Sequence, residues 1–141
     1  MVKVFVYGTL KPGECNYQRY CAGLVVETKS AIALGQLFSL PFGYPAMIPG
    51  NSPVHGFVLS FSTNNILHQF DWLEDYDPQR PATENEYNRQ QISIYDTLIN
   101  PIGTAWAYLM TREKIIAHGG VLVPNGCWSG FTGESVVKGE G

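Results

Sequence analysis

The sequence predicts an α+β domain, a small mixed β-barrel or curled sheet carrying a few short helices. Three observations lead there. Short runs rich in Val, Ile, Phe and Tyr recur along the chain, the composition that suits a pleated, half-buried surface. Gly and Pro punctuate those runs at close intervals, which favours many short elements over a few long ones. Only one stretch carries well-developed helical spacing of apolar residues. No repeat, low-complexity segment or linker breaks the pattern, so residues 1–141 read as a single domain. From about residue 129 the chain is rich in Gly and Ser and is expected to form a mobile tail.

Taken in order, Val2 to Tyr7 is a short β-branched strand. Asn16 to Cys21 begins at a good N-cap residue and ends before Gly23, which predicts a short helix. Leu24 to Val26 and Ala31 to Leu40 read as two strands, the second stopped by Pro41. A turn at 42–45 leads to a brief strand over Ala46 to Ile48, and Val54 to Phe61 alternates as another. The helix is predicted over Thr63 to Asp75. Ser62 or Thr63 would cap it, and Ile66, Leu67, Phe70 and Leu73 form its apolar stripe. Asp77-Pro78 ends it. Glu86 to Tyr95 and Ile102 to Met110 are two more strands, and Thr111 to His118 a short helix closed by Gly119-Gly120.

Composition narrows the function. A net charge of −3 without a Lys/Arg cluster argues against nucleic acid. The apolar runs are too short to span a membrane, and nothing reads as a signal peptide. Three cysteines without a C-x-x-C pair fit a reducing, cytoplasmic setting. His55, His68 and His118 lack ligand spacing, so a structural metal is not expected. Charged residues are only 15% of the chain, which leaves apolar surface that could support a homodimer.

The most informative segment is Val4 to Gly13. An apolar strand runs into Tyr7-Gly8-Thr9-Leu10 and then Lys11-Pro12-Gly13. A strand that breaks at glycine presents successive backbone N–H groups with little side chain in the way, a cradle for an anion. An ordinary tight turn would look the same at this level.

Glu74 is the most suggestive ionisable residue. It falls in the last turn of the predicted helix, where the negative end of the helix dipole disfavours a carboxylate. Asp71, Asp75 and Asp77 add like charge. Both influences raise its pKa toward that of a base working near neutrality. A solvated helix-face glutamate is the plainer alternative. Asp71 reads as a helix-end or capping residue and Cys15 as a non-catalytic thiol. Tyr87 with Arg89, and Trp106 with Tyr108, each share one face of a strand. Either pair could line a pocket, with packing the better reading for Trp106.

In combination, four segments resemble the gamma-glutamylcyclotransferase-like superfamily, in family order from residue 4 to about 110. They are Tyr7-Gly8-Thr9-Leu10; Gly35-Gln36-Leu37-Phe38 with Tyr44-Pro45-Ala46; Phe70-Asp71-Trp72-Leu73-Glu74-Asp75-Tyr76; and Tyr87-x-Arg89 with Ala105-Trp106-Ala107-Tyr108. Beyond 110 the likeness thins to Gly126-x-Trp128, which assigns the C-terminus little functional weight. The third segment matches L-D-x-x-E-G-Y, with Phe70 for leucine and Asp75 for glycine. Asp75 is expected to narrow the pocket or alter the base's pKa.

The resemblance implies that fold and a cofactor-free activity on a small gamma-glutamyl substrate, a gamma-glutamyl amine for example. The substrate's α-amine attacks its own side-chain carbonyl, giving 5-oxoproline and a free amine. Glu74 would be the base. Backbone N–H groups around Gly8, Thr9 and Leu10 would hold the substrate's α-carboxylate or the oxyanion, with Tyr7 helping to shape that substrate-binding pocket. Two other functions suit the same scaffold: a non-catalytic small-molecule-binding or regulatory domain, and removal of a gamma-glutamyl group from a large biosynthetic intermediate.

Overall fold

The computed structural model describes residues 1–130. Seven strands run in chain order: β1 Val2–Val6, β2 Val25–Ser39, β3 Pro45–Pro49, β4 Ser52–Phe61, β5 Asn88–Tyr95, β6 Pro101–Leu109 and β7 Val121–Leu122. Three α-helices join them: α1 Tyr17–Tyr20, α2 Asn65–Leu73 and α3 Arg112–Ala117. A single 3₁₀ turn at Ala82–Glu84 precedes β5. The strand order β2-β4-β1-β6-β5 closes on itself where Ile32 of β2 meets Tyr95 of β5. The result is a closed five-stranded mixed barrel, antiparallel except between β1 and β6. β3 and β7 add to the far end of β2.

β1 shows how the sequence builds two cores from one strand. Val2, Val4 and Val6 share a core with Ile66, Leu67 and Phe70 of α2. Phe5, and Tyr7 just past the strand, belong instead to a core with Ala31, Ala33, Ala105 and Ala107. Alternation across the pleat produces this division. The alanines leave room for the aromatic rings, as a narrow barrel requires.

Several expectations are corrected. The two strands expected over Leu24–Val26 and Ala31–Leu40 form one, β2, because exposed Glu27 to Ser30 pair with β4 opposite Ser60 to Phe57. Polarity there marks an outward face, not a loop. β7 and the 3₁₀ turn have too few residues for a periodic signal. α2 starts at Asn65, and Thr63 Oγ1 accepts from the Asn65 N–H (3.2 Å) in place of the expected cap. α3 matches its expectation closely: Thr111 Oγ1 accepts from the Lys114 N–H (3.2 Å), and Gly119 follows at φ +77°. The tail expected from about 129 lies, beyond Gly130, outside the described residues.

α2 ends earlier than expected, and the way it ends positions Glu74. Glu74 is the C-cap, its N–H donating to Phe70 O (2.8 Å). The Tyr76 N–H reaches back to Asp71 O (2.8 Å) and the Asp75 N–H to Trp72 O (3.3 Å). This pair of bonds is a Schellman motif. Its C′ residue, Asp75, has φ +55°, a conformation that favours glycine and that Asp tolerates better than most residues.

Candidate active site

The residues singled out in two distant segments line one cavity of about 240 Å³. Tyr7, Gly8, Thr9 and Leu10 form one side, where the chain leaves β1. Leu73, Glu74 and Asp75 form the other, where the chain leaves α2. Tyr44, Pro45, Glu86, Tyr87 and Tyr108 complete much of the wall.

The loop side is shaped by a close approach. A Cβ on Gly8 would stand 2.7 and 2.8 Å from ring carbons of Pro45, so only glycine lets the two segments meet. A Lys11 N–H to Gly8 O bond (3.0 Å) closes the turn. Asn16 clasps Thr9 twice, through its N–H to Thr9 O (2.9 Å) and its amide to Thr9 Oγ1 (3.0 Å). Among the described residues, the N–H groups of Gly8, Thr9 and Leu10 have no hydrogen-bond partner. Backbone donors without partners in a largely buried loop are uncommon unless something else meets them.

The tyrosines around the cavity direct their hydroxyls into the protein. Tyr7 donates to Tyr108 O (2.6 Å), Tyr87 to Pro45 O (2.5 Å), Tyr108 to Asp71 Oδ1 (2.7 Å) and Tyr44 to Glu86 Oε2 (3.2 Å). Burial pushes all four phenols up, Tyr44 to about 12, so they stay neutral. With those donors engaged, the loop N–H groups and the carboxylates remain to meet a polar guest.

Glu74 retains some accessible surface, as a residue lining a cavity must, and is otherwise enclosed. Burial, followed by the negative charge of Glu86, pushes its carboxyl up to about 8. The direction is the expected one, but the dominant causes differ. Asp71 lies 3.0 Å from Arg89 Nε, though not at a hydrogen-bonding angle, and accepts from Tyr108. Asp75 turns its carboxylate to Arg80 (3.1 Å) and is largely exposed. Asp77 accepts from the Gln79 N–H (2.9 Å). Each of these charges is met by a partner, so none dominates at Glu74. Asp75 does line the cavity, but it is not what raises the Glu74 carboxyl.

Glu86 was not singled out from the sequence. It sits just before β5 with His118 Nε2 3.2 Å from one oxygen and Lys114 Nζ 3.9 Å from the other. Its one local signal was adjacency to the Tyr87-x-Arg89 segment, because its partners come from α3 and the 42–45 turn. Arg89 and Trp106 stand away from the cavity lining: the guanidinium lies 4.7 Å from the Trp106 ring centroid and 5.5 Å from that of Tyr76. That stack clamps the end of α2 to the sheet. Cys15 and Cys127 are exposed free thiols, and Cys21 is buried. Among the described residues, no cluster of three or more His, Cys, Asp or Glu side chains could hold a metal ion, and no helix is long and apolar enough to cross a membrane.

A closed barrel with a mid-sized cavity, a raised carboxyl on one side and backbone donors on the other defines a small-molecule enzyme site. The chain belongs to the family described as gamma-glutamyl cyclotransferase, AIG2-like, whose model matches residues 4–130, and it is an enzyme of that family. It is 36% identical over 128 residues to a putative gamma-glutamylcyclotransferase of Vibrio cholerae, covering 89% of this chain and 93% of that protein. It is 30% identical over 116 residues to the gamma-L-glutamyl-butirosin B gamma-glutamyl cyclotransferase of Niallia circulans, covering 82% and 71% respectively. The crystal structure of a mouse AIG2-like protein superposes with a TM-score of 0.69 at 19% identity, over 92% of this chain and 88% of that one. The family match runs to residue 130, well past the region near 110 where the resemblance was expected to fade.

Proposed function

We propose that the protein converts a small gamma-glutamyl amine to 5-oxoproline and a free amine, with Glu74 as general base. The observation that supports it most is the facing of Glu74 and the unpartnered Gly8, Thr9 and Leu10 N–H groups across one cavity. On this reading the N–H groups hold the substrate's α-carboxylate or the oxyanion that forms, with Tyr7 shaping the floor beneath.

The chemistry needs a proton removed before a bond is made. The substrate's α-ammonium, beside its own free α-carboxylate, has a pKa above the ~8 of a peptide α-amino group. A Glu74 carboxyl pushed up to about 8 is a far better acceptor for its proton than an ordinary carboxylate. Glu74 takes that proton, and the free amine attacks the γ-carbonyl carbon. The tetrahedral intermediate collapses with cleavage of the bond to the departing nitrogen, which receives the proton from Glu74. The ring nitrogen gives its second proton through Glu74 to the freed amine, leaving a neutral lactam and an ammonium product. Holding the glutamyl group folded makes the ring closure a positioned intramolecular step, worth on the order of several kcal/mol.

A panel of gamma-glutamyl amines and peptides, assayed for 5-oxoproline, tests this. Turnover of at least one is expected, with Glu74→Gln slower by about 10²–10⁴-fold at unchanged fold. Thermal stabilisation by these compounds without turnover would instead favour a binding or regulatory domain. Turnover confined to bulky gamma-glutamylated molecules would indicate a biosynthetic deprotection step.

A further inference from the structure

The last described residues run back across the barrel and finish on the loop that lines the cavity. The Val123 N–H donates to Leu37 O (2.8 Å), and Gly126 O accepts from the His55 N–H (2.8 Å). Gly126 has φ +70°, and a Cβ there would fall 2.0 Å from Pro53 O, so the segment lies flat against the sheet only as glycine. Trp128 is buried in the same core as Phe5 and Tyr7. From that anchor two bonds reach the loop: Lys11 Nζ donates to Trp128 O, and the Gly130 N–H donates to Glu14 Oε1 (3.0 Å).

Lys11 and Glu14 immediately follow the cradle, and neither lines the cavity. A partly buried lysine needs an acceptor to justify its position, and burial lowers its pKa. Its acceptor is a carbonyl more than a hundred residues away in sequence, on a segment otherwise held by the barrel. Inside the loop, the N–H groups of Lys11, Glu14 and Asn16 bond to Gly8, Lys11 and Thr9 carbonyls at 3.0, 2.9 and 2.9 Å. The loop is thus closed by its own turns and held from outside by the strap.

We propose that residues 126–130 are a positioning element for the substrate cradle, acting on it through Lys11 and Glu14. This rests on the cradle's role in the proposed function. Releasing the strap lets the loop turns open and misaligns the Gly8, Thr9 and Leu10 donors. Here the cradle is taken to hold the substrate's α-carboxylate, a charge present in ground state and transition state alike, so loosening it raises KM rather than lowering kcat.

The experiment compares Lys11→Met, Glu14→Ala and Lys11→Arg with the unchanged chain. Two readouts are taken: kcat and KM for 5-oxoproline release, and hydrogen exchange at the Lys11, Glu14 and Asn16 amides relative to those of β4. Lys11→Met is expected to raise KM at least tenfold with kcat within about threefold. Exchange at the three loop amides should quicken by a similar factor while β4 is unaffected, and Lys11→Arg should restore both. Glu14→Ala, at the rim, should act in the same direction more weakly and keeps the test open if Lys11→Met does not fold. Unchanged loop exchange, an equal acceleration in β4, or loop opening without a rise in KM would overturn the proposal. If the unchanged chain cleaves no gamma-glutamyl compound, the proposed function fails, and loop exchange still decides whether the strap holds the loop.

Discussion

The two sides of the cavity are built from opposite chemistry by different means. The loop side, residues 7–10, offers backbone N–H groups and is held from a distance: by Pro45 against Gly8, by Asn16 against Thr9 and by the 126–130 strap. The helix side offers side-chain carboxylates; its backbone is closed locally by a Schellman end, and Asp71, one turn before Glu74, ties it to Arg89 and Tyr108 of the sheet. A donor wall needs shape, because a backbone amide cannot be re-aimed without moving the chain. An acceptor wall needs the right charge state, which burial and neighbouring groups supply. Mutations should therefore separate into those that damage shape and those that shift a titration.

Asp71→Asn is expected to have the largest structural effect. It leaves Arg89, between Tyr76 and Trp106, without its carboxylate on a half-buried surface. We expect a loss of about 2 kcal/mol in chemical denaturation, below the range for a fully buried pair. Because Glu74 rides on the same helix end, kcat should fall on the order of tenfold. Next comes Gly8→Ala. Its Cβ must displace Pro45, which Tyr87 pins through the 2.5 Å bond to Pro45 O. A cost of about 1–2 kcal/mol is expected from overpacking, with KM rising more than kcat falls. An equal fall in kcat for both variants would erase the distinction between the walls.

How much of this could be read beforehand followed the range of the interactions. Glu74 and Tyr7 to Leu10 were legible because each sits in a contiguous segment with its own local pattern, a helix end and a strand-to-glycine break. The barrel was legible as strands, but its closure through Ile32 and Tyr95 was not, since nothing local to either residue marks the other. Glu86 escaped for the same reason: its environment is assembled from Tyr44, Lys114 and His118, residues from 28 to 42 positions away. The charges assigned to Glu74's surroundings went astray because sequence proximity stood in for contact. Asp71 and Asp75 are near in the chain, yet Arg89 and Arg80 satisfy them.

Glu86→Gln should shift a titration and little else. Removing its negative charge lowers the pKa of Glu74, so the acidic limb of kcat/KM, expected near 8, should move to lower pH. A limb that stayed in place would mean that burial alone raises the Glu74 carboxyl. Stability carries the same information with a sign that can be checked. Glu74 is raised from 4.5 to about 8, so its protonated form is favoured in the folded chain. Its contribution to stability is fullest below 4.5 and declines as pH rises to about 8. Thermal unfolding of Glu74→Gln should accordingly match the unchanged chain near pH 4 and exceed it near pH 9.

The smallest effect belongs to Asp75→Gly, and it isolates what the departure from the family's glycine does. Glycine relieves the positive φ of +55°, a strain of about 1 kcal/mol or less for Asp. Against that stand the greater freedom of glycine in the unfolded chain, about 0.4–1 kcal/mol, and the exposed pair with Arg80, itself worth little. These terms nearly cancel, and chemical denaturation should find a net change within about 0.5 kcal/mol. The pH profile is the sharper measurement. Because the Asp75 carboxylate faces Arg80 and solvent, the acidic limb should not move, in contrast to Glu86→Gln. If it moved as far, Asp75 would be charging the base after all, and the helix side of the cavity would owe its tuning to its own sequence neighbour.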